Sequence, residues 1–125
     1  MKFTSQQYVR WDDLDAMGHV NHAKYLTYAQ EARFAMLGVF NMVVARAEAD
    51  YKAPIAEGNI YIDVSTWVES IGNSSFILIY ELSNNATLCS RIKTVQVCVS
   101  QDTKSSRPLS DLQREELSKY LETQS

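Results

Sequence analysis

Cysteine and histidine are scarce in this chain: Cys89 and Cys98 are the two thiols, and His19 and His22 the two imidazoles. Their positions do not make a zinc-binding spacing, so no metal is expected. No apolar run approaches the ~20 residues needed to cross a bilayer, which excludes a membrane-spanning helix. The opening residues, Met1 to Tyr8, lack the apolar stretch of a secretory leader. Basic residues are not in excess either. The formal net charge is -3, the wrong sign for a general nucleic-acid binder. Repeats and low-complexity tracts are absent. With no secretion signal, two reduced thiols buried in strands are expected rather than a disulfide, and the setting expected is cytoplasmic.

The 125 residues, 46% of them hydrophobic, suffice for one core, so residues 1–125 are read as a single domain. A domain this small buries a limited share of its surface, which leaves association with further copies open.

The apolar pattern predicts a strand from Phe3 to Trp11, then a loop from Asp12 to Val20 marked by acidic residues and Gly18. A helix should start at Asn21, a favoured N-cap, and run from His22 to Leu37 before Gly38 ends it. Tyr25, Leu26, Tyr28, Ala29, Ala32, Phe34 and Met36 occupy most of its circumference, so burial on several sides is expected. Strands follow at Met42–Lys52, Ile60–Ile71, Phe76–Leu82 and Leu88–Ser100, joined mostly by hairpins at Gly72-Asn73 and Ser83-Asn84-Asn85. Ser110 and Gln113 have capping-box spacing ahead of a short helix carrying Leu117, Tyr120 and Leu121. The fold class is α+β, an antiparallel sheet with one face available to cover the long helix.

Between Arg10 and Tyr25 lie three carboxylates (Asp12, Asp13 and Asp15), both histidines and Asn21. For an ordinary loop, one of these carboxylates would cap a turn and the others would be solvated. Two features favour chemistry here. Gly18 permits close approach of a ligand, and the His19–Asn21 run leads straight into a helix start. If Asn21 is the N-cap, the backbone N–H of His22 has no partner within the helix. An acyl oxygen fits that vacancy, with Asp15 placed to work on the carbonyl carbon. His19 is read as orienting Asp15, the loop or a water. Tyr25 and Tyr28 are core or pocket wall. Glu31 interrupts an apolar helix, where a charge needs a partner or a function. Arg33 and Arg46 are the partners expected in a buried ion pair.

The segment Asp13-Leu-Asp15-Ala-Met-Gly18-His19-Val-Asn21-His-Ala-Lys-Tyr25 resembles the signature of the hotdog-fold acyl thioesterases, in the 4-hydroxybenzoyl-CoA thioesterase-like family. Ala49 to Ile55, Ile71 to Phe76 and the Arg107-Pro108-Leu109 step extend the likeness over nearly the whole chain. The resemblance implies a single hotdog domain, a five-stranded antiparallel sheet wrapped around a long central helix. It implies protomers paired edge to edge, as a homodimer or homotetramer, with sites at the interface. It assigns Asp15 as nucleophile or general base and the His22 N–H as the carbonyl-polarising donor. Gly18, Asn21, Tyr25, Tyr28, Ser74 and Ser75 become substrate contacts, and Glu31 a reserve carboxylate, since another branch carries its carboxylate on the helix. Two departures stand out: Gly58-Asn59 where many relatives have Gly-Asp, and Asn21-His22 where they often have Asn-Asn.

The expected reaction is hydrolysis of an acyl-CoA or acyl carrier protein thioester to acid and thiol. No cofactor is required, because a thiolate is already a good leaving group. Lys52, Arg91, Lys93, Lys104 and Arg107 are candidates to meet CoA phosphates or an acidic carrier protein, and Tyr25, Tyr28, Phe34 and Trp67 to line an acyl pocket. The alternatives are a non-hydrolytic acyl-thioester binding module and a hotdog-fold dehydratase or hydratase using His19 and Glu31.

Overall fold

The computed structural model describes residues 1–122. Five strands, β1 (Phe3–Val9), β2 (Met42–Tyr51), β3 (Ile60–Ile71), β4 (Ser75–Asn84) and β5 (Thr87–Cys98), form one sheet in the order β1-β3-β4-β5-β2. Every neighbouring pair is antiparallel. Two helices complete the fold, α1 (His22–Leu37) and α2 (Asp111–Ser118). The expected Phe3–Trp11 strand ends at Val9, because Trp11–Asp13 closes into a 3-10 turn.

The strands follow their alternation. Ile62 and Val64 of β3 are buried while Tyr61 and Asp63, which alternate with them, are exposed. β3 and β4 join through a tight hairpin in which the Gly72 N–H donates to the Ser75 carbonyl at 2.7 Å. The next turn, between β4 and β5, places Asn85 and Ala86 at positive φ, 50° and 66°. The connection from β2 to β3 is no hairpin, since the two strands are separated in the sheet by β4 and β5. Both cysteines are buried and unpaired, and burial raises the thiol pKa of Cys89, near the start of β5.

Helix α1 begins and ends where its capping residues direct. The Asn21 side chain accepts the Ala23 N–H at 3.1 Å, and Gly38, at φ 66°, donates its N–H to the Phe34 carbonyl at 2.8 Å. Burial on several sides is not observed. Tyr25, Tyr28, Ala29, Ala32 and Met36 are buried, whereas Leu26 and Phe34 are 40% and 60% exposed. These buried positions recur at three- and four-residue steps, one face of a helix. A single sheet covers only that face within one protomer. Glu31 is exposed rather than buried. Its expected partners are engaged elsewhere, Arg33 with the Tyr80 hydroxyl at 3.2 Å and Arg46 with Glu48 at 2.6 Å.

The Ser110–Gln113 capping box forms in both directions, at 3.1 and 2.9 Å. Helix α2 stops at Ser118, before Tyr120 and Leu121. Tyr120 lies in the turn that follows α2 and Leu121 bridges to β3, where Val68 donates to the Tyr120 carbonyl at 2.8 Å and accepts from Glu122 at 2.9 Å. β1 pairs with β3 as far as Thr66, so this short return covers the edge of β3 that β1 leaves open.

Gly58 ties the end of the β2–β3 connection to the turn after β1. A Cβ on residue 58 would meet the Trp11 Cα at 2.9 Å, a backbone contact with no side chain able to yield. Gly58→Ala is expected to lower stability by about 1–3 kcal/mol in urea denaturation, and an unchanged midpoint would show that this approach is not constrained.

Candidate active site

The acidic loop is organised by its middle carboxylate. Asp13 is 3% exposed and accepts the Tyr28 hydroxyl at 2.6 Å and the Arg10 N–H at 3.1 Å. Lys24 stands 3.8 Å from its other oxygen. Buried carboxylates persist only when bonded in this way. Asp13 is thus the carboxylate of the three that caps the 3-10 turn, and Asp12 and Asp15 are exposed, as expected of the others. The burial of Asp13 beneath Tyr28 is the added feature, and Tyr28 and Lys24 lie on one side of a helix whose N-cap is just beyond the loop. The loop is then closed by backbone bonds. The Asn21 N–H donates to the Asp13 carbonyl at 2.9 Å, and Val20 N–H to the Ile55 carbonyl at 2.8 Å.

Within that frame Asp15 makes a small hairpin with His19. Its N–H donates to the His19 carbonyl at 2.7 Å, and its carbonyl accepts from Gly18 at 3.0 Å. Gly18 sits at φ 76°, a conformation L side chains rarely adopt. The Asp15 Oδ1 accepts the N–H groups of Met17 and His19 at 2.9 and 3.2 Å. Its Oδ2 has no hydrogen-bond partner among the described residues, and the side chain is exposed. The His22 N–H at the first position of α1 likewise has no acceptor among the described residues, while the Asn21 side chain is taken by Ala23.

Asp15, His19, His22 and Tyr25 line one cavity of about 340 Å³, together with Tyr51, Lys52 and the Ala53-Pro54 step. The Tyr51 hydroxyl donates to the His22 carbonyl at 3.2 Å, and its ring meets the edges of His22 and Tyr25 at centroid distances of 6.0 and 5.1 Å. Tyr51 is a wall residue that the pattern of β2 alone did not single out. Tyr25 accepts the Ile55 N–H at 3.3 Å, and burial raises its phenol pKa. Tyr28 is 1% exposed and faces the interior through Asp13. Burial and the bond to Asp13 push its phenol pKa far above the usual tyrosine range.

Other expected residues lie apart. Glu31 lines a separate cavity of about 480 Å³ with Arg33, Phe34 and Phe40. Ser74 and Ser75 stand at the start of β4, a strand length of roughly 30 Å from the end that carries the acidic loop. Of the five candidate cations, Lys52 borders the Asp15 cavity, whereas Arg91 and Lys93 are paired with Glu81 and Glu69 at 3.3 and 3.2 Å. Trp67 is buried beneath Lys2, whose Nζ lies 4.3 Å from its ring. Among the described residues no three His, Cys, Asp or Glu side chains gather as a metal site. No helix there is long and apolar enough to cross a membrane.

The protonated phenols and thiol carry a pH consequence. The unfolded chain ionises Cys89 near 9.0 and Tyr25 and Tyr28 near 10.0, whereas the folded state holds those protons to higher pH. Above pH ~9 the unfolded state binds fewer protons, so stability is full below that range and falls as pH rises through it. Tyr28→Phe should flatten this alkaline decline. It should also cost about 1–3 kcal/mol at neutral pH, by leaving Asp13 short of a donor. Urea denaturation across pH 7 to 10.5 checks both; an unchanged neutral midpoint would contradict the role given to Asp13.

The sequence and fold of this chain resemble those of known proteins. The family model described as the thioesterase-like superfamily matches residues 9–118. A 1,4-dihydroxy-2-naphthoyl-CoA hydrolase from Synechococcus elongatus is 28% identical over 118 residues, covering 83% of this chain and 86% of that protein. The solved structure of a predicted thioesterase from Bacillus stearothermophilus superposes with a TM-score of 0.93 at 25% identity, over 100% of both chains. A thioesterase from Thermus thermophilus, complexed with coenzyme A and zinc, gives 0.83 at 30% identity, over 94% of this chain and 92% of that one. A capped helix entry facing a free carboxylate thus sits on a sheet shared with hotdog thioesterases, and the chain belongs to the thioesterase-like superfamily as a thioester hydrolase.

Proposed function

We propose that this chain hydrolyses an acyl-CoA to the free acid and CoA, with the His22 N–H holding the thioester oxygen and Asp15 acting on the carbonyl carbon. The observation that carries this reading is the pairing, at one cavity, of a carboxylate oxygen and a helix-entry N–H that both lack partners among the described residues. Attack on the carbonyl places negative charge on its oxygen. A fixed backbone donor there typically contributes about 3–4 kcal/mol to the transition state. The positive end of α1 adds to the same effect.

Asp15 Oδ1 is committed to the loop, so Oδ2 is the reacting atom. In one route Oδ2 attacks the carbonyl carbon, the C–S bond breaks with CoA leaving as thiolate, and water then hydrolyses the mixed anhydride. In the other, Oδ2 takes a proton from the water that attacks, and the same thiolate leaves. His19 acts through its backbone, which holds Oδ1, and Tyr28 acts through Asp13 by keeping the loop in register. Gly18 and Tyr25 border the bound thioester, and Asn21 caps the helix that presents the donor.

Lys52, at the cavity mouth, favours a substrate with phosphates nearby. The coenzyme A bound to the Thermus thermophilus relative supports CoA over a carrier protein. The largely exposed edge strand β2 and the open face of α1 support edge-to-edge pairing of copies, as homodimer or homotetramer, enclosing the helix that one sheet covers on one side. Contact of Ser74 and Ser75 with substrate requires such a second copy, since within one chain they lie at the other end of the sheet. The buried free thiols accord with a reducing, cytoplasmic setting. A hydratase would need His19 and Glu31 at one substrate, yet they border different cavities.

Thiol release from aromatic, short-chain and long-chain acyl-CoAs tests the proposal, with wild type beside Asp15→Asn, which keeps the Oδ1 acceptor. The variant should lose at least about a hundredfold in kcat. Full turnover by Asp15→Asn, with loss in Glu31→Gln, would overturn it.

A further inference from the structure

Asp15 borders two cavities and is the one residue common to both. Beyond the 340 Å³ cavity of the helix entry lies a second, of about 560 Å³, walled by Trp11, Leu14, Ala16 and Ala56, with Asp12 and Gly18 at its rim. Their chemistry differs. Lys52 and both histidines face the first; the second has an indole and small apolar groups, and its charges, Asp12 and Asp15, are negative.

A thioester held at Asp15 has two arms that leave the carbonyl in opposite directions. The CoA arm carries phosphates, which Lys52 attracts and which Asp12 repels. The acyl arm is therefore directed into the second cavity. Trp11 is 70% exposed there, although its neighbours are fixed. Its carbonyl accepts the Leu14 N–H at 3.3 Å, and its backbone is backed by Gly58, where a Cβ would intrude to 2.9 Å. The indole is thus a flat face on a rigid turn, beside the reacting carboxylate.

Resting on the acyl-CoA reading above, we infer that Trp11 is the specificity-determining residue, a platform on which a flat, uncharged acyl group stacks in a chamber that Asp12 closes to acyl groups ending in a carboxylate. Stacked aromatic pairs contribute about 0.5–1.5 kcal/mol beyond buried area, which corresponds to roughly twofold to tenfold in affinity.

The chain has two tryptophans, and the other, Trp67, is 6% exposed, so acrylamide quenching reads Trp11 selectively. Three thioethers that cannot be hydrolysed serve as probes: S-benzyl-CoA, S-hexyl-CoA and S-(4-carboxybutyl)-CoA. S-benzyl-CoA should bind the wild type most tightly and shield Trp11 from acrylamide. Trp11→Leu should weaken S-benzyl-CoA by about threefold to tenfold and leave S-hexyl-CoA nearly unchanged, while Trp11→Phe restores most of the preference. Asp12→Asn should tighten S-(4-carboxybutyl)-CoA alone. An equal loss for benzyl and hexyl probes in Trp11→Leu, a bound benzyl probe that leaves Trp11 open to acrylamide, or no saturable binding of any probe would overturn the inference. Probe binding with these preferences but no thiol release from any acyl-CoA would instead overturn the hydrolytic reading and leave the platform standing.

Discussion

The bond between the Tyr28 hydroxyl and the buried Asp13 carboxylate is the contact on which the site depends. It fastens a loop with few apolar residues to the second turn of the helix that follows it. The loop would otherwise have little burial to offset the entropy of ordering it. With Asp13 fixed, its carbonyl receives the Asn21 N–H, and the N-cap is set at one place relative to the sheet. The first free N–H of α1 and the hairpin that carries Asp15 are then positioned by the same anchor. Two neighbouring carboxylates take opposite parts here. Asp13 is buried and bonded twice through Oδ2, while Asp15 two residues on is exposed and keeps one oxygen without a partner among the described residues.

Pre-organisation of this kind suits chemistry on a thioester. The leaving group needs little assistance, so the barrier lies in placing charge on the carbonyl oxygen and a nucleophile at the carbon. A backbone N–H at a capped helix start cannot swing away, and it requires no proton to be moved. The loop bonds to Asp15 Oδ1 likewise limit the carboxylate to a small arc. On the proposed reading, Lys52 beside one cavity of Asp15 and Asp12 beside the other give the two sides of that carboxylate different character, a difference suited to orienting a charged substrate.

Much of this was legible in the residues. Asn21 and Gly38 set the helix ends because caps are local, decided by one side chain and one backbone angle. The β3 alternation and both hairpins were readable for the same reason. The motif marked the loop as the candidate site, and the orphan N–H at His22 followed from capping alone. What escaped were the long-range partnerships. The burial of Asp13 depends on Tyr28, fifteen residues on, and the exposure of Glu31 on where one sheet ends its cover of α1. Tyr120 and Leu121 continue the amphipathic pattern of α2, but the helix ends in a turn at Tyr120 and the open edge of β3 takes Leu121 into a bridge. The placement of Ser74 and Ser75 away from the loop follows from the antiparallel pairing of β1 with β3, which sets the loop at the start of β3 and the β3–β4 hairpin at the far end; that pairing joins strands distant in sequence, which no local pattern encodes.

The most direct measurement is a crystal structure with an acyl-CoA analogue in which a methylene replaces the thioester sulfur. Its ketone oxygen should lie about 2.7–3.1 Å from the His22 nitrogen, with Asp15 Oδ2 facing the carbonyl carbon. A ketone bound out of reach of both, beside Glu31 for example, would contradict the assignment of these two groups to the reaction.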